Sequence, residues 1–73
     1  MGQLLNEPVI AEHDPAGRLT AYRWRGARYT VDGIVKSYGS GVYRVRISGA
    51  SGRAIAELGR DADHWRLRHV FPA

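Results

Sequence analysis

The sequence predicts an all-β fold, and three observations carry that prediction. Turn-forming clusters recur about a dozen residues apart: DPAG at 14–17, RGAR at 25–28, YGSG at 38–41, GASG at 49–52 and GRDAD at 59–63. Each combines Gly, Asp, Ser or Pro in the way that supplies positive φ or local side-chain hydrogen bonds. The six segments between them are short and alternate apolar with polar residues, as half-buried antiparallel strands do. No segment sustains an apolar stripe at helical spacing.

The elements follow in order. EPVIAEH at 7–13 reads as an edge strand, because Pro8 has no N–H to give a ladder. Asp14 starts the DPAG bend. In TAYRWR, Tyr22 and Trp24 share one face while Arg23 and Arg25 share the other, and Gly26 then turns the chain. In RYTV, Tyr29 and Val31 oppose Arg28 and Thr30. Asp32-Gly33 interrupts this segment, but Ile34 and Val35 continue it, so a bulge or sharp bend is expected rather than a hairpin turn. In VYRVRI, Tyr43, Val45 and Ile47 oppose Val42, Arg44 and Arg46. RAIAELGR at 53–60 contains good helix formers, yet it is short and bracketed by glycines, so a strand is expected. In HWRLRHVF, Trp65 and Leu67 oppose Arg66 and Arg68. Six such strands in a meander hide their edges best by curling into an SH3-like or related small barrel.

Seventy-three residues make one domain, spanning 1–73, with 1–6 expected to lie outside the ordered fold. A chain of this size buries only about 60% of its unfolded surface. Without cysteine, its stability rests on apolar packing and hydrogen bonds. No apolar run approaches the roughly 20 residues of a membrane helix. MGQLLNEPVI has neither the charged start nor the apolar centre of a secretory signal, so a cytoplasmic location is expected.

Net charge is +4 and the pI is near 10.1, with ten arginines against one lysine. That balance favours a polyanion or an acidic protein as partner. A GC-rich genome writes the same excess of Arg over Lys, so the choice of cation is not informative by itself.

Catalysis is not expected. His13, His64 and His69 lack the helical pairing of a metal-binding motif, and the D-x-D-H run at Asp61, Asp63 and His64 is far short of a calcium loop. Gly39-Ser40-Gly41 opens no helix, so it cradles no phosphate, and no serine stands in a nucleophile elbow. Neither cofactor nor metal is implied. The informative set is Arg23, Arg25, Arg28, Arg44, Arg46, Arg66 and Arg68, which alternation directs outward and which would contact DNA or another partner if they converge. The same alternation sends Tyr22, Trp24, Tyr29, Tyr43 and Trp65 to the core, leaving Val42 and Phe71 as the expected exposed apolar contacts. An arginine surface with a few aromatics equally suits a protein partner or a homo-oligomer, and an edge at 7–13 would allow strand addition.

Four motifs in order carry a family resemblance: Glu7-Pro8-Val9; Tyr22-Arg23-Trp24-Arg25-Gly26 running to Tyr29 and Val31; Val42-Tyr43-Arg44-Val45; and Trp65-Arg66-Leu67 running to Val70. Together they resemble a mostly actinobacterial family of small domains of unknown function, over nearly the whole stretch from Glu7 to Phe71. The hairpin and W-x-L pattern is also similar to the C-terminal domain of non-catalytic Y-family polymerase homologues used in translesion synthesis. The resemblance implies an accessory or docking module near DNA repair, with a replication or repair polymerase component as its protein partner and no catalytic residues. Relatives often carry a Trp-rich insertion between the third and fourth strands, where this chain has only KSYGSG.

Overall fold

The computed structural model describes residues 3–62 and 64–72. Met1 and Gly2 of the amino-terminal segment, and Asp63 of the D-x-D-H run, lie outside the described residues. Six antiparallel strands follow one another: β1 (Gln3–His13), β2 (Leu19–Trp24), β3 (Ala27–Tyr38), β4 (Val42–Gly49), β5 (Gly52–Asp61) and β6 (His64–Pro72). They pair in sequence order, and β1 pairs with β6 to close a barrel. All-β class, strand number, connectivity and closure are those the alternation predicts.

Closure is achieved by two strands that change partner along their length. β1 pairs with β6 from Gln3 to Val9 and with β2 from Ile10 to His13. β3 pairs with β2 through Ala27–Thr30 and with β4 through Thr30–Tyr38. Strands that switch neighbours through bends and bulges turn the corners of small barrels. The β3 corner carries a register shift between Val31 and Gly33, the bulge expected from Asp32-Gly33, and a second between Ile34 and Lys36.

Two expectations for the first strand are corrected. It begins at Gln3, because Gln3 and Leu4 find partners in Val70 and His69 of β6. Nor is 7–13 an edge strand: it is paired throughout, first to β6 and then to β2. Pro8 is accommodated because it lies before the β2 ladder starts, where the chain has a neighbour on one side only. The continuous free edge needed for strand addition at 7–13 is therefore absent.

The core comprises Tyr22, Val45, Ile47, Ala56, Leu58, Trp65 and Leu67. Tyr22, Leu58, Leu67 and Val45 are its largest fully buried side chains, each contributing on the order of 1.5–3 kcal/mol by leaving water. β5 explains how tyrosines fit inside so narrow a barrel. Its inward residues Ala54 and Ala56 face Ile47 and Val45 across the β4 ladder, alternating small with large. RAIAELGR is a strand for this reason, since its alanines are spent on interior space. The expected aromatic faces are also found: Tyr22 and Trp65 are buried, while Trp24, Tyr29 and Tyr43 pack against them half-buried. Tyr22 and Tyr29 stack at 5.3 Å between ring centroids.

Candidate nucleic-acid interface

The seven strand arginines face outward, but they form three groups rather than one surface. In the first, Arg23 and Arg28 stand directly opposite each other across the β2–β3 ladder, an unfavourable pairing of like charges. Glu12 of β1 reaches both, at 3.5 Å from Arg23 and 3.0 Å from Arg28. Arg25 donates two hydrogen bonds to Glu7, whose carboxylate also accepts from the Trp24 indole N–H at 3.2 Å. Both carboxyls sit below the ordinary glutamate value. Hydrogen bonds from Arg25 hold Glu7 down and those from Arg28 hold Glu12 down, each against the opposing effect of desolvation. Each arginine of this group has a carboxylate partner, although Arg23 and Arg28 share the single charge of Glu12.

The second group lies on β4. Arg44 bonds Glu57 at 3.2 Å and rests over the Phe71 ring at 4.8 Å. Glu57 is buried under this contact and approached by His69 at 3.7 Å, so its desolvation is compensated by pairing. Arg46 lies against Gly33, filling the space a Cβ would take. Val42 and Phe71, expected to be exposed, are both half-buried; Phe71 is roofed by Arg44.

The third group is on β6. Arg66 donates to the Asn6 carbonyl at 3.3 Å, and the Arg68 stem lies over Gly59. They share a depression of about 330 Å³ with Arg60 of β5. Among the described residues, none of these three makes an ion pair with a carboxylate, although Asp61 lines the same depression.

Arg60 was not among the arginines singled out from sequence. It sits inside the GRDAD cluster and reads there as a turn residue. The β5–β6 register instead sets it opposite Trp65, with its guanidinium 5.8 Å from the indole centroid. Counting back from the hairpin turn would have paired the two. Arg60 also borders a cleft of about 680 Å³ at the mouth of the barrel, where β3 runs on beyond β2. Ile34 and Val35 are exposed for the same reason, their half of β3 having β4 alone as neighbour. With Ile10 on β1 they are the large apolar residues most open to solvent.

Asp14 accepts from the backbone N–H groups of Ala16 and Arg18 at 3.0 and 2.8 Å, fixing the DPAG bend as expected. Among the described residues, no three His, Asp or Glu side chains gather in a way that would hold a metal. No family model matches the chain, nor does any curated protein or solved structure.

Proposed function

We propose that this chain is a non-catalytic binding module that contacts nucleic acid through the Arg60, Arg66 and Arg68 end of the barrel. The observation that carries the reading is the partition of charge. Arg23, Arg25, Arg28 and Arg44 each have a partner in Glu7, Glu12 or Glu57. Arg60, Arg66 and Arg68, like Arg46 and Arg53, have no carboxylate partner among the described residues, and of these only the first three bring a third cation to one depression. Unmatched guanidinium groups around one depression suit phosphate oxygens, which they bind in fork geometry. The resemblance to translesion polymerase homologues suggests DNA as the polyanion and a repair setting for the contact.

The test is anisotropy of a labelled single-stranded oligonucleotide at about 50 and 200 mM salt. Three phosphate contacts give a slope near −2 in log affinity against log salt, so binding weakens roughly twentyfold over that range. The pair Arg66→Ala and Arg68→Ala lowers affinity, while Arg23→Ala with Arg28→Ala leaves it within about twofold. Absent or salt-indifferent binding at low salt, or equal effects from the two pairs, overturns the reading. A protein-interaction module is the second reading, favoured by the exposure of Ile10, Ile34 and Val35. A concentration-dependent dimer, or a co-purifying protein lost on Ile34→Thr, would support it.

A further inference from the structure

We propose that the cleft at the barrel mouth receives one unstacked base of a single strand, while Arg60, Arg66 and Arg68 hold the flanking phosphates. This rests on the nucleic-acid reading above and adds the form of the ligand. The cleft of about 680 Å³ is lined by Leu19, Val31, Ile34, Tyr43, Val45 and Trp65. Its volume falls in the range of small-molecule pockets. Its accessible aromatic wall is Tyr43, half-buried and backed by the buried Trp65 at 5.8 Å between centroids. A base offers a π-face to such a wall whatever its identity.

Arg60 connects this cleft to the phosphate-binding end. It lines the mouth cleft, the depression shared with Arg66 and Arg68, and a third groove of about 480 Å³ beside Ile10 and His64. A backbone held by Arg66 and Arg68 therefore passes Arg60 as it reaches the mouth. The opposite rim of the cleft carries Asp14 and Asp32, and the cation there, Arg18, is paired to Asp14 at 3.2 Å. Charge along the cleft is thus asymmetric: phosphates are favoured on the Arg60 side and repelled on the other. A duplex keeps its bases stacked inside and offers none to the cleft, so single strands are preferred.

Three probes of equal length separate the possibilities: oligo-dT of about ten nucleotides, an abasic oligomer with the same phosphates, and a duplex. Oligo-dT is expected to bind about tenfold tighter than the abasic oligomer, the scale of one base–aromatic stack. Ile34→Thr, at an exposed position and with strand propensity kept, and Tyr43→Leu reduce that ratio towards one without changing abasic affinity. A cooperative thermal melt by circular dichroism shows that each variant is folded. Arg66→Ala with Arg68→Ala weakens both probes alike. Equal affinity for oligo-dT and the abasic oligomer, or a duplex bound as tightly as oligo-dT, overturns base insertion and leaves the polyanion reading standing. If no probe binds at low salt, both fall together.

Discussion

The turn at Arg25-Gly26 shows how a single residue pair sets the hairpin. Trp24 and Ala27 close a two-residue loop whose central residues both have positive φ, 51° at Arg25 and 77° at Gly26. This is the turn sense that matches strand twist, and it normally calls for Asn-Gly. Arginine at the first position carries a backbone cost that its own contacts offset: it bonds Glu7 and stacks 4.6 Å over Trp24. Nothing surrounds the position of a Cβ at Gly26, so substitution there meets no steric obstacle and feels backbone conformation alone. Gly26→Ala is therefore expected to lower unfolding free energy by about 1–2 kcal/mol, measured by urea titration. An unchanged midpoint would mean that the turn relaxes to another type.

Among elements, Glu7 and Glu12 add ion pairs to the backbone ladder that joins β1 to the β2–β3 hairpin. Their carboxyls lie below the ordinary value of 4.5 in the fold, so the unfolded chain binds protons first on acidification. The stabilisation is fully present above pH 4.5 and is lost as pH falls through the lower folded values. Combining Glu7→Gln with Glu12→Gln should lower Tm at pH 7, where Arg23 and Arg28 then oppose each other unscreened, and flatten the fall in Tm below pH 4.5. Thermal melts across pH check this; parallel acid limbs in variant and parent would refute it.

These elements also show what the sequence makes legible. Four strands were readable from alternation, the fifth from its length and bracketing glycines, and the first only from Glu7 onward; every turn was readable from its Gly or Asp. The bulge at Asp32-Gly33 was readable because apolar residues resume at Ile34. The Arg23–Glu12 and Arg25–Glu7 pairs were not readable, since they depend on how β1 registers against β2. Nor was the joint exposure of Ile34 and Val35, which read only as the continuation of an apolar strand: β2, at 6 residues, is too short to cover β3, at 12. Arg60 was hidden by its place in a turn cluster and became visible only through its cross-strand neighbour Trp65.

At the scale of the molecule, the barrel measures 28 × 23 × 22 Å, and its interior is filled by seven side chains. The net charge of +4 is unevenly spread over the outside. The partition of that charge matters more than its total. Glutamates on β1 and β5 pair with Arg23, Arg25, Arg28 and Arg44, while Arg46 on β4 and the cations of the β5–β6 hairpin have no carboxylate partner among the described residues.

The pairing of β1 with β6 bears on how the chain reaches this state. Gln3 meets Val70 and Val9 meets Trp65, so the contacts that close the barrel join opposite ends of the chain. Such distant contacts are formed only after the entropy of closing a long loop has been lost, which slows folding. During synthesis the first strand has no β6 to pair with until His64–Pro72 has left the ribosome. A chain ending at Asp61 would keep five strands yet lose both the seam and the buried Trp65 and Leu67. It should show no cooperative thermal transition by circular dichroism, and a sharp melt from that fragment would place the folding nucleus in the β2–β5 meander alone.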